Sequence, residues 1–234
     1  MESRVAGIAT IPGREAALAD VIERILPQVD HIHIACNNYD GGHRLDDGRR
    51  GVSWHYPDNG RQDGNKFLYL ADGPPGYRFP LDDDILYPPT LIRDSIDAIE
   101  GYGRKCVVSW GGKRYDVQPV LSYYRGMSVS FHALHTQPFD FPVHVPLSGA
   151  MAWHTSMLTF NTEHWIHPLM ADLWAGLDCL EQGVPIMSLS HDKGYLVHSS
   201  KIDLSTTIYQ TEHLRDSIQT KLVNREWPAL QWPT

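Results

Sequence analysis

Apolar residues along the chain fall into short runs separated by turn chemistry, and the runs alternate between strand and helix periods. Val5 to Ile11 is an apolar stretch of strand length; Pro12-Gly13-Arg14 breaks it, and from Glu15 to Leu26 apolar positions recur at helical spacing. Ile32 to Cys36 predicts a second strand, followed by the polar, glycine-bearing loop Asn37-Asn38-Tyr39-Asp40-Gly41-Gly42. Strand, helix and strand in that order predict a parallel pair joined by a right-handed crossover. The loops Thr10 to Arg14 and Asn37 to Asp40 then share the carboxyl edge of the sheet, where open α/β folds bind nucleotides.

Further on, Val52 to Tyr56 predicts a third strand and Asn65 to Leu70 a short helix or strand; Pro74-Pro75-Gly76 turns the chain into a buried strand from Arg78 to Leu81. Thr90 can cap a helix reaching about Glu100, and Cys106 to Trp110 predicts another strand. Lys113 to Tyr124 fits a hairpin, Leu147 to His154 a buried segment, Pro168 to Gln182 a helix and Pro185 to Leu189 a last strand. The tail after Ser200 reads as a solvent-facing helix and arm, so residues 1–200 are expected to form one α/β domain with residues 201–234 packed on it.

One stretch stands out chemically. Asp82-Asp83-Asp84 lies between Leu81 and Ile85-Leu86-Tyr87, and Pro88-Pro89 prevent the acidic run from continuing as a strand or helix interior. Adjacent carboxylates repel by roughly 4 kcal/mol per close pair at the effective dielectric of a protein surface. Full solvation in a turn or a divalent cation with oxygen ligands, Mg2+ or Mn2+, would offset that. The apolar flanks, which anchor the run at a sheet edge, favour the cation.

Composition narrows the classes. The chain has 234 residues, 42% of them hydrophobic and 21% charged, enough for a full core. A net charge of −8 with scattered Lys and Arg argues against a phosphate-backbone binder. Cys36, Cys106 and Cys179 are widely spaced and read as free thiols, which with the lack of a signal-like or membrane-spanning apolar run points to a cytoplasmic protein. Thirteen His include His31, His33 and His55, which alternate along strands and read as structural. There is no His-Glu-x-x-His, Gly-x-Ser-x-Gly or Walker loop, so metalloprotease, esterase and P-loop readings lack support.

The ordered set Val5 to Arg14, Ile25 to Asp30 with Asn37-Asn38-Tyr39, Asp82-Asp83-Asp84 with Tyr87-Pro88-Pro89, Leu147 to His154 and Met170 to Trp174 resembles family-2-type glycosyltransferases with the GT-A fold. The resemblance implies a Rossmann-like, mostly parallel central sheet flanked by helices, and a metal-dependent transfer of sugar from a nucleotide-diphosphate sugar, UDP-sugar foremost, with inversion. It assigns Asp82 and Asp84 to the metal, with His191 and His198 as further candidate ligands, and Asp172 to the general base. Thr10, Pro12, Arg14, Asn38, Tyr39, Asp63, Lys66, Asp82 and Asp83 fall to the donor, and Ser148, Gly149 and Trp174 to the acceptor side. The chain departs from the pattern at Gln62-Asp63-Gly64-Asn65-Lys66-Phe67, where both glycines of a related Gly-Asp-x-Gly-Lys-Phe motif are replaced, and at Ala171-Asp172, where a Glu-Asp pair is usual. The acceptor hydroxyl could belong to a glycan, a protein or a modified nucleobase. A nucleotidyltransferase making nucleotide sugars would also use the acidic run, and a non-catalytic carbohydrate-binding protein would account for the seven Trp.

Overall fold

A computed structural model describes residues 2–39, 45–46, 48–125, 128–203, 205, 207–213 and 216–226; Asp40, expected at the end of the loop after the second strand, and residues 227–234 of the tail lie outside them. The strands are β1 Ser3–Thr10, β2 His31–Cys36, β3 Val52–His55, β4 Gly76–Asp82, β5 Ile85–Leu86, β6 Val107–Ser109, β7 Gly112–Tyr115, β8 Ser128–Phe131, β9 Phe141–Val143, β10 Val145–Pro146, β11 Met151–His154, β12 Ile186–Ser188 and β13 Val197–His198. The helices are α1 Glu15–Ile25, α2 Leu91–Gly101, α3 Ala171–Glu181, α4 Ile208–Glu212 and α5 Ser217–Glu226, with a 3-10 turn at Gln62–Phe67.

Eight strands form one sheet in the order β3-β2-β1-β4-β11-β6-β12-β9. The β3-β2-β1-β4 half is parallel throughout, as the βαβ pattern requires, and β6 pairs β12 in parallel. Antiparallel β11 stands between β4 and β6, and β9 closes the far edge antiparallel to β12. The expected mixed α/β sheet with flanking helices is therefore what the chain forms. The expected hairpin begins at β7 but returns only at β8, through a long connection.

Strand alternation sends side chains to two cores. Ala6, Ile8, Ile32, Ile34, Phe79 and Leu81 pack under α1 and α2, whose buried faces include Leu18, Val21, Ile22, Ile92 and Ile99. On the opposite face Val5, Phe67, Leu70, Trp153, Leu173 and Ala175 join α3, and Leu222 and Val223 bring α5 onto this second core. Thr90 does not cap α2 through a backbone bond; its hydroxyl donates to Asp94 Oδ2 at 2.6 Å, a partner within the same first turn.

On the second face of β4 sits Arg78, fully buried. Its guanidinium donates to the carbonyls of Leu70 and Pro74, both at 2.7 Å, and to Ser3 Oγ at 3.0 Å, so the charge is solvated by backbone and pins the 68–75 segment against the strand. The 3-10 turn lies directly over β1 at Gly7, where an added Cβ would stand 2.0 Å from the Lys66 carbonyl oxygen. Gly7→Ala must displace that turn and is expected to destabilise the fold by about 1–3 kcal/mol. Thermal denaturation should show it as a fall in Tm of several degrees, and an unchanged Tm would contradict this packing.

Candidate active site

The carboxyl ends of β1, β2 and β4 carry the predicted residues to one edge, and buried charge organises them. Asp82 ends β4, and its Oδ1 accepts from Lys66 Nζ at 2.7 Å. Lys66, expected on the donor side, is only 4% exposed, and its burial is not marked by any local sequence signal. Burial acts to lower its pKa, and the surrounding carboxylates of Asp82, Asp63 and Asp172 outweigh burial, so the ammonium is held charged above its ordinary range. Asp83 and Asp84 share the second cation: Arg14 Nη1 lies 2.8 Å from Asp83 Oδ1 and 2.9 Å from Asp84 Oδ2. Thr10 Oγ1 donates to Asp83 Oδ2 at 2.7 Å. The repulsion within the acidic run is thus offset by a lysine and an arginine from neighbouring elements, a third solution beside solvation and metal.

Even so, Asp83 is pushed up to about 6, mainly by burial, with Arg14 opposing. Burial and the charge of Asp82 raise Asp84. The turn's shape is set by Tyr87, whose fully buried hydroxyl accepts the Asp82 N–H at 2.8 Å and donates to the Gly149 carbonyl at 2.5 Å. Gly149 is required there: an added Cβ would fall 1.8 Å from Asp82 Oδ2.

Across this edge stands Asp172, in the first turn of α3. Its Oδ1 accepts from the Ser148 N–H at 2.8 Å and from Ser148 Oγ at 2.5 Å, while Oδ2 takes no hydrogen bond among the described residues. Burial raises its pKa, opposed by Lys66 and by the two Ser148 bonds. Asp63, expected in the donor pocket, instead reaches the start of α3, where its Oδ2 accepts the Ala171 N–H at 3.0 Å. Its Oδ1 is buried without a partner, and its pKa is pushed up to about 6 by burial.

The loop after β2 is tied to the 3-10 turn through Asn37, Asn38 and Asn65. Asn37 Nδ2 donates to the Gln62 carbonyl at 2.9 Å, and Asn65 Nδ2 to Asn37 Oδ1 at 2.7 Å. Asn38 adopts a left-handed backbone, φ 59°, with its N–H on Asn59 Oδ1 at 2.7 Å. The Tyr39 hydroxyl donates to Glu15 Oε1 at 2.9 Å, and both Glu15 oxygens accept the Gly13 N–H of the Pro12-Gly13 turn.

Trp174, His191 and His198 differ in their surroundings. The Trp174 ring nitrogen donates to the His167 carbonyl at 3.0 Å within a buried setting. His191 has its ring nitrogens 2.8 Å and 3.1 Å from the carbonyl oxygens of Leu189 and Ala133, so neither is turned to the acidic run. His198 does approach it, since β13 pairs with β5 opposite Ile85, Ser199 N–H donates to the Asp84 carbonyl at 2.8 Å, and His198 charge acts on Asp84. Among the described residues no three His, Cys, Asp or Glu side chains converge as a ready metal cluster. Nor, among them, is any helix long and apolar enough to cross a membrane.

This geometry defines a GT-A-like α/β fold with an acidic turn at the carboxyl edge of its parallel strands. No family model and no curated protein sequence matches the chain. Solved structures of S. aureus TarS do: residues 1–349 of TarS superpose with a TM-score of 0.50 at 15% identity, covering 82% of this chain and 59% of that one. A second TarS structure gives 0.50 at 14% identity, over 82% of this chain and 36% of that one. TarS 1–349 in complex with UDP-GlcNAc gives 0.53 at 15% identity over 97% and 73%. The chain thus spans 59% and 36% of the first two, and at these identities the likeness establishes the fold.

Lys66 carries the charge balance of the site, so Lys66→Met should strand Asp82, Asp63 and Asp172 and destabilise the protein by about 3–5 kcal/mol at neutral pH. Carboxyls whose folded pKa is raised above the unfolded value favour the protonated folded state, and the penalty grows as pH climbs from about 4, the ordinary aspartate range, through the folded value. Urea unfolding should therefore show the variant recovering stability relative to wild type as pH is lowered from 7 to 5. A deficit that is constant with pH would contradict the assignment.

Proposed function

We propose that the chain is a glycosyltransferase that moves a sugar from a nucleoside-diphosphate sugar, with UDP-sugar preferred, to a hydroxyl acceptor by direct, inverting displacement. What carries the reading is the division of carboxylates about two cations: Asp82 on Lys66 and Asp84 on Arg14 at the strand side, and Asp172 opposite, anchored through one oxygen with the other open. The fold shared with TarS, solved with UDP-GlcNAc bound, supports it.

In this reading the diphosphate lies against the acidic turn. A divalent cation would have two protein oxygens to meet, Asp82 Oδ2 and Asp84 Oδ1, which take no hydrogen bond among the described residues, and would draw its remaining ligands from the diphosphate and water. Asp82 and Asp84 would hold Mn2+ or Mg2+, with His198 adjacent, and the bound cation would neutralise charge on the departing diphosphate. Arg14 and Lys66 add fixed positive charge at the same edge. Thr10, Pro12, Asn38 and Tyr39 on the two loops would frame the base and ribose.

Asp172 would take the proton of the acceptor hydroxyl through Oδ2 while the Ser148 bonds keep Oδ1 in place. Its raised proton affinity, set mainly by burial, suits a base better than a solvated aspartate would be. The acceptor then enters over Ser148 and Gly149, on the side of α3.

Asp172→Asn is expected to lower kcat on the order of a hundredfold or more while UDP affinity stays near wild type. Steady-state kinetics with calorimetric UDP titration tests this, and a variant retaining most of its activity would reassign the base. Asp84→Asn, or EDTA added to wild type, should remove both turnover and Mn2+-dependent UDP binding, with UDP binding more tightly than GDP in wild type. Full turnover in EDTA would rule out the metal, and tighter GDP binding would reverse the nucleotide.

A further inference from the structure

Helix α3 begins without a local cap: Met170 occupies the N-cap position and its side chain makes no capping bond. The first N–H of the helix is taken instead by Asp63 Oδ2, from a residue 108 positions earlier in the chain. The turn that carries Asp63 is clamped to the segment leading into α3. Arg61 Nε donates to the Thr162 carbonyl at 2.6 Å, Phe67 packs edge-on against Trp165 with ring centroids 4.9 Å apart, and a Cβ on Gly64 would come within 3.1 Å of the Trp165 ring.

Capping alone does not call for a carboxylate here. A neutral Asn or Ser satisfies a helix N-terminus about as well, whereas a buried carboxylate oxygen with no partner is destabilising. Asp63 Oδ1 is such an oxygen. The charged groups that act on Asp63 are Lys66 of its own turn, Asp172 of α3 and Asp82 of β4, the groups of the candidate site itself.

We propose that Asp63 is the positioning residue for the base: by capping α3 from the donor-side turn it sets where Asp172 meets the acceptor hydroxyl, and it ties that placement to the turn bearing Lys66. The proposal rests on the reading of Asp172 as the base. It moves Asp63 from the donor pocket to the hinge between donor and acceptor sides.

The test pairs two variants of the full chain. Asp63→Ala removes the cap and should lower kcat by about 10- to 100-fold, the scale of a small misplacement of a catalytic group, with UDP affinity within about twofold of wild type. Amide hydrogen exchange at Ala171 should quicken at least tenfold, roughly the loss of one such bond. Asp63→Asn keeps an oxygen acceptor for the Ala171 N–H and should restore slow exchange, with kcat above that of Asp63→Ala and below wild type because the charge facing Lys66 is gone. Loss of UDP affinity in Asp63→Ala with kcat unchanged would overturn the proposal and return Asp63 to the donor; so would unchanged exchange at Ala171. If wild type releases nucleotide from no sugar nucleotide while the exchange effect holds, the transferase reading fails and the anchoring of α3 does not.

Discussion

One buried ammonium stands among three carboxylates, and the geometry of the candidate site follows from that balance. Lys66 bonds Asp82 directly and acts electrostatically on Asp63 and Asp172, so the strand that ends in the acidic turn and the helix that opens with Asp172 share a single counter-charge. In a low-dielectric setting such charges can persist only if each is paired or hydrogen-bonded. Arg14 repeats the device one residue further along, taking Asp83 and Asp84 together.

The fold supplies the close approaches this needs. Gly7 lets the Gln62–Phe67 turn lie on β1, which delivers Lys66 to the end of β4, and Gly149 lets the Asp82 carboxylate pass over the backbone that leads into β11. Tyr87 locks the same crossing by bonding Asp82 and Gly149 at once. Antiparallel β11 matters for this reason: it inserts beside β4 and brings Ser148, two residues before Ala150 and its bridge to Leu81, to the anchoring oxygen of Asp172.

Much of the architecture was legible in the chain because its signals are local. The β1-α1-β2 unit, the strand ending at Asp82 and the helix bearing Asp172 follow from period and from Pro-Gly punctuation. What sequence could not show was long-range pairing of charge. The resemblance assigns Lys66 and Asp63 to the donor, and only the packing of the 3-10 turn against β1 and the Trp165 segment buries the Lys66 side chain and Asp63 Oδ1. Arg78, in a central strand, has a similar origin, since its partners are carbonyls of a loop that wraps back onto the strand. The family pattern grouped His191 with the acidic run, whereas its ring is spent on two backbone carbonyls, a detail set by the local fold of residues 133 and 189.

The proposed activity breaks the bond between sugar and diphosphate. Incubating the protein with a panel of sugar nucleotides and Mn2+, in parallel with candidate hydroxyl acceptors and with pyrophosphate, and identifying the nucleotide product by mass, addresses it directly. Release of the nucleoside diphosphate, UDP foremost, is the predicted result. Formation of a nucleoside triphosphate from sugar nucleotide and pyrophosphate, with no nucleoside diphosphate released from any donor, would contradict it and assign the acidic turn to nucleotidyl transfer.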